Sequence, residues 1–217
     1  MWGMSACSKL PLPPRIPATN SLSEELLLRE VSECAGVEER AEALWQLATF
    51  YLHEAKLRDL AVDLINLMIQ ESVSRERTAF CWAALGQIAE DAEDWHLAIA
   101  HYLKGLAVAP SDSTTAYFLN NNAGHCLNNL GRYSEAEPYC RRAIEINPEL
   151  HYAYKNLGIA LQGQGDVVGA AWVWVDATKA NRADPRAFLL LEKLVQDHPN
   201  LLTHCRWITQ EFNGRRT

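Results

Sequence analysis

The stretch AGHCLNNLGRYSEAEPYCRRAIEINP (residues 123–148) places small residues at Gly124, Ala136 and Ala143 and a proline at Pro148. The gaps between the small residues, twelve and then seven, recur on both sides: Gly86, Ala98 and Gly105 before it, and Gly158, Ala170 and Ala177 after it. Five residues beyond the first two triplets comes Pro110 or Pro148, whereas the third has Arg182 there and reaches its proline only at Pro185. Self-similarity at a register of 38 and then 34 residues marks an array of supersecondary units, each too small to bury its own apolar face. A small residue on one helix, answered by small residues on the next, lets two antiparallel helices approach where their backbones cross. The turns EDW (93–95), GRY (131–133) and GDV (165–167) supply the stop and restart of each hairpin. Ser134 and Glu137 have capping-box spacing. Proline then closes the unit, because it has no N–H to continue the second helix.

With these spacings in place, the units resemble tetratricopeptide repeats. Trp82, Leu85, Gly86, Ala98, Tyr102 and Pro110 fit the family pattern, as do Tyr154, Leu157, Gly158, Ala170 and Trp174. The middle unit matches through Gly124, Leu127, Ala136, Ala143 and Pro148, with Asn120 where the family favours an aromatic ring. Asn120 should therefore face the hairpin core and need a polar partner. An earlier, degenerate unit, from about Ala41 to Ser74, keeps Leu44, Leu47, Ala48 and Tyr51 but has one residue too many before Ala61 and no closing proline. The resemblance implies an all-α fold, a right-handed α-α superhelix with four hairpins over residues 37–182. Terminal faces of such a stack need caps. One capping helix is expected over 21–36, opened by Ser21 and Glu24 at capping-box spacing. Two amphipathic capping helices, AFLLLEKLVQ and LLTHCRWITQEF, are expected within 183–217, and residues 1–20, with four prolines, as a disordered lead.

Composition narrows the partners. With 217 residues, 48% hydrophobic and 22% charged, the chain can bury a substantial core. A formal charge of −7 without a basic cluster argues against nucleic acid or an anionic membrane surface. No apolar run is long enough for a membrane span and no secretory signal is visible, so the cytoplasm is the expected location. The six cysteines lack any CxxC, and the seven histidines lack HxxxH or HExxH. Reduced buried thiols are expected, and neither a metal nor a cofactor.

Helical geometry then sorts the asparagines of FLNNNAGHCLNNLG (residues 118–131). Taking Phe118 as zero, Asn122, His125 and Asn129 lie within about 40° and Asn121 within about 60°, while Asn120 falls on the opposite side. A merely wet face is more readily built from Glu, Lys or Gln, each a better helix former than Asn. The strip also recurs: Phe80 and Tyr152 are equivalent to Phe118, with Gln87 beside the first and Lys155, Asn156 and Ile159 beside the second. In the family the first helix of each hairpin lines a concave groove that holds partner peptides. The resemblance implies apolar contacts from Phe80, Phe118 and Tyr152, and a backbone grip from Asn122 and Asn156, since an amide carries both donor and acceptor. Glu42, Glu90 and Asp91 make the N-terminal end of this groove acidic, and Lys155 is its clearest positive group. The lysine and arginine clamp with which some members bind acidic chaperone C-termini is missing from the corresponding positions, among them Trp45, Thr49 and Ala84.

The reading that follows is a non-catalytic adaptor or scaffold that holds a peptide or helix of another protein. A chaperone for one secreted or assembling subunit is a narrower version. The recognition module of an enzyme is less well supported, since no phosphate-loop, nucleophile-elbow or paired metal motif occurs. His125 and Cys126 leave a helix about 100° apart. Self-association through an exposed repeat edge is a further possibility.

Overall fold

The computed structural model describes residues 11–213, apart from 15, 17, 18, 20, 55, 73 and 182. The described residues form twelve helices and no strand. After α1 (Leu22–Glu33) come four hairpins: α2 (Val37–His53) with α3 (Arg58–Glu71), α4 (Arg75–Glu90) with α5 (Trp95–Ala107), α6 (Ser113–Asn129) with α7 (Tyr133–Ile146), and α8 (His151–Gly163) with α9 (Val167–Ala180). Each second helix adjoins the first helix of the next hairpin, and α4, α6 and α8 also touch in succession. This is the all-α solenoid that the resemblance implies. The C-terminal end is α10 (Arg186–Asp197), α11 (Asn200–His204) and α12 (Arg206–Asn213). The single helix expected over LLTHCRWITQEF is thus two, divided at Cys205.

The hairpin contact is more specific than small meeting small. Ala98, Ala136 and Ala170 are fully buried as expected, but each first-helix glycine lies under a larger side chain of the second helix. A Cβ added to Gly86 would sit 2.3 Å from the Tyr102 ring, one on Gly124 2.5 Å from Cys140 Sγ, and one on Gly158 2.2 Å from the Trp174 indole. The hydrogen in place of a side chain is what lets a ring or thiol reach the facing backbone.

The hairpin turns share one backbone device. The residue before the second helix's N-cap is left-handed in all four: Lys56 (φ 57), Glu93 (φ 58), Gly131 (φ 70) and Gly165 (φ 88), followed by N-caps Leu57, Asp94, Arg132 and Asp166. Glycine adopts this conformation freely, whereas an L side chain is strained there by roughly 1–2 kcal/mol. Glu93→Gly is therefore expected to stabilise the protein by about 0.5–1 kcal/mol, read as a raised midpoint in urea denaturation.

Capping departs from expectation at two places. α7 starts at Tyr133 after an Arg132 cap without a side-chain bond, so Ser134 lies inside the helix, and Glu137 accepts instead from Arg141 Nε (2.7 Å) and Gln164 Nε2 (2.9 Å). In α1, Ser21 does accept from Glu24 N at 3.1 Å. The Glu24 carboxylate, however, is turned inward to accept from the Tyr51 hydroxyl and from Thr19 N (2.7 Å). Of the proline-rich lead, residues 1–10 lie outside the described residues; Leu12 and Ile16 pack against the core of the first hairpin.

Candidate functional site

The first helices present one ring each at the same repeat position. Phe80, Phe118 and Tyr152 are 42%, 43% and 37% exposed, whereas the other apolar side chains described on α4, α6 and α8 are buried or half-buried. Trp45 of α2 meets Phe80 edge-on with centroids 4.8 Å apart, and the Arg186 guanidinium of α10 lies 5.5 Å from the Tyr152 centroid. Rings 34 or more residues apart in the chain therefore extend along successive adjoining helices, from Trp45 to a cation at the far end.

Between the rings, the asparagines are joined to one another. Tyr102 of α5 donates to Glu90 Oε2 at 2.8 Å, and Asn122 Nδ2 reaches the Tyr102 hydroxyl at 3.4 Å. Asn121 Nδ2 donates to Asn122 Oδ1 at 2.9 Å, Asn156 Nδ2 to Asn121 Oδ1 at 3.0 Å, and Asn128 Nδ2 to the Asn156 carbonyl at 2.8 Å. A polar thread thus runs from α4 through α5 and α6 to α8. Its Asn156 end is 3% exposed and leaves Oδ1 buried without a partner, as does Asn128. The expected grip of Asn156 on a peptide meets a side chain already enclosed and bonded to the neighbouring helix. The helical wheel shows its direction but not how closely α6 and α8 pack. Asn122 is half-buried and borders the face. Asn120 is buried as expected, and its partner is within its own helix: Nδ2 donates to the Ala116 carbonyl at 2.8 Å.

The remaining residues are spread around this thread. Gln87 is exposed and donates to Asp91 (3.0 Å), Asn129 is exposed and turns back to the His125 carbonyl (3.0 Å), and Ile159 is half-buried against the core of the last hairpin. Lys155 is half-buried, and burial, then Arg186, hold its pKa below the ordinary lysine value while Asp184 opposes. His125 lies 3.5 Å from Glu90 Oε1; burial lowers its pKa, with Glu90 acting the other way.

Glu90 also accepts from Cys126 Sγ at 3.6 Å. Burial, reinforced by Glu90, pushes the Cys126 thiol well above the ordinary range, so it remains protonated and a poor nucleophile. This meeting of Glu90, Tyr102, His125 and Cys126 is not legible from the first helices alone, because Tyr102 enters from the second helix. Its sequence signal is position: Tyr102 stands where the later hairpins have Cys140 and Trp174.

Residues 119–150 match the family model described as tetratricopeptide repeat. Among curated proteins the chain is similar to human tetratricopeptide repeat protein 7B, 32% identical over 100 residues that make up 46% of this chain and 11% of that protein. It is also similar to the Hsp70-Hsp90 organizing protein of Triticum aestivum, 28% identical over 120 residues, or 48% of this chain and 20% of that one. The chain therefore spans a fifth or less of these relatives. Two solved structures share the fold. One is MamA 41-end from Desulfovibrio magneticus RS-1, with TM-score 0.62 and 15% identity, covering 82% of this chain and 97% of that one. The other is the first TPR of Spaghetti (RPAP3) bound to the HSP90 peptide SRMEEVD, with TM-score 0.52 and 20% identity, covering 56% and 94%.

Proposed function

The chain belongs to the tetratricopeptide repeat superfamily, and from that premise we propose that it is a non-catalytic adaptor whose row of first helices holds a peptide or helix of a partner protein. The observation that carries this is the exposure of Phe80, Phe118 and Tyr152 at one repeat position on successive adjoining helices. Large rings left outside a well-packed core are suited to anchoring a partner segment. The peptide held by the RPAP3 repeat domain supports the general mode. A clamp for acidic C-termini is a poorer fit, because Arg77 already donates to Glu38 at 2.9 Å and Arg186 to Asp184 at 2.9 Å, while Lys155 is half-buried with its pKa lowered by that burial. No helix among the described residues is long and apolar enough to cross a membrane.

The asparagine thread supports the row by fixing the spacing of α6 and α8, with Asn122 the amide best placed to meet a ligand. The test uses peptides selected on the protein from a displayed random library. The Phe118→Ala, Tyr152→Ala double variant is expected to weaken the selected peptides by about 2 kcal/mol or more without lowering the thermal midpoint. Asn156→Ala is expected instead to destabilise the fold by about 1–3 kcal/mol, because Asn121 loses its donor. Selected peptides that bind the double variant as tightly as the parent would remove the aromatic row from the site.

A further inference from the structure

Each hairpin's second helix opens on a residue that stands beside the following hairpin: Arg58 in α3, Trp95 in α5 and Tyr133 in α7, directly after the N-caps Leu57, Asp94 and Arg132. The Trp95 ring meets His125 of α6 edge-on at 5.9 Å. The Tyr133 ring lies against α8, where a Cβ on Gly163 would sit 2.3 Å from it. An aromatic plug therefore fills the second and third joints of the stack. At the first joint the plug position is Arg58, and a cleft of about 440 Å³ lies open between α3, α4 and α5.

The floor of this cleft is apolar: Val62 of α3, Leu85, Ile88 and Ala89 of α4, and Leu97 of α5, which is 47% exposed. Among the described residues the rim carries Asp59, Asp63 and Asp94, with Arg58 as its cation. In the wall, His101 holds Nδ1 buried and without a hydrogen-bond partner. Its ring stacks on Trp82 at 5.5 Å, and burial followed by Lys104 lowers its pKa, with Asp94 opposing. Leu85, Ile88 and Ala89 lie about 80–180° around α4 from Phe80, so the cleft faces away from the aromatic row.

We infer that this cleft is a second docking site, which takes a bulky aromatic side chain from a basic segment of a partner protein, in the place that Trp95 and Tyr133 fill at the later joints. An apolar pocket inside a charged rim is the usual seat of an anchoring side chain. Asp59 and Asp94 against the Arg58 guanidinium favour lysine or arginine beside that anchor and disfavour an acidic segment.

The probe is a labelled amphipathic peptide with one tryptophan and a lysine one helical turn to either side, followed by fluorescence anisotropy. Two control peptides carry glutamates for the lysines, or serine for the tryptophan. The parent protein is expected to bind the lysine peptide at least about tenfold more tightly than either control. Arg58→Trp, which installs the plug, is expected to weaken it by about tenfold with the thermal midpoint unchanged or raised, and Phe118→Ala to leave it unchanged. Asp59→Lys, an exposed charge reversal that does not disturb the core, is expected to weaken it severalfold and serves if the plugged variant folds poorly. Equal binding of the glutamate peptide, indifference to both Arg58→Trp and Asp59→Lys, or sensitivity to Phe118→Ala would overturn the assignment. So would a parent that sediments as a dimer and a plugged variant that sediments as a monomer, since the occupant would then be a second copy of this chain.

Discussion

Trp174→Ala is expected to lower the free energy of unfolding by about 3–5 kcal/mol. Trp174 is fully buried in the last hairpin, among Leu157, Leu161, Leu191 and Leu194. Its Nε1 donates to the Lys155 carbonyl at 3.1 Å, and its ring occupies the hollow left by Gly158. Truncation removes the largest side chain of that core and opens a void that rigid helix backbones cannot close. Trp174→Phe keeps most of the volume and is expected to cost less. Urea denaturation followed by far-UV circular dichroism reads both. A loss below about 1 kcal/mol for the alanine variant would show that the last hairpin is not packed around this ring.

The second large effect is expected at Arg40, where alanine should cost about 3 kcal/mol or more. Arg40 is 6% exposed; its Nε faces Glu71 Oε2 at 3.0 Å, and its Nη1 donates to the Val31 carbonyl at 3.3 Å. One guanidinium thus ties α1 and α2 to the end of α3. Its removal leaves the Glu71 carboxylate in a largely enclosed place without that counter-charge. Arg40→Met combined with Glu71→Leu is expected to recover most of the loss, since an apolar pair of similar size incurs no charge desolvation. The comparison of single and double variants in urea is the test, and an additive double loss would contradict the pairing.

The hairpins were legible because close helix crossings demand small residues, and Gly124, Ala136 and Ala143 can be counted without knowing what they touch. What they touch was less accessible: that Gly158 receives an indole and Gly86 a phenol depends on side-chain reach from the partner helix. The same limit governs the candidate site. A helical wheel places Phe118 and Asn122 on one side, and Phe118 is exposed while Asn122 is half-buried. It carries no information on the gap to α8, which is why Asn156 is found enclosed rather than on the surface. The Ser134 capping box failed for a local reason: the left-handed Gly131 places the cap at Arg132, so α7 starts before the serine. Arg58 could be seen as an oddity of the degenerate first unit only once Trp95 and Tyr133 had been located between hairpins.

The amide thread also constrains what can enter between the rings. Its bonds cross from one helix to another, so spreading α6 from α8 to admit a thicker guest would break Asn156 from Asn121 and leave yet more enclosed polar atoms unsatisfied. On the proposed reading, the first-helix row is therefore a stiff gauge of fixed spacing, and a partner segment held there would have to arrive slender or straighten to fit, the conformational adjustment falling to the guest and not to the host.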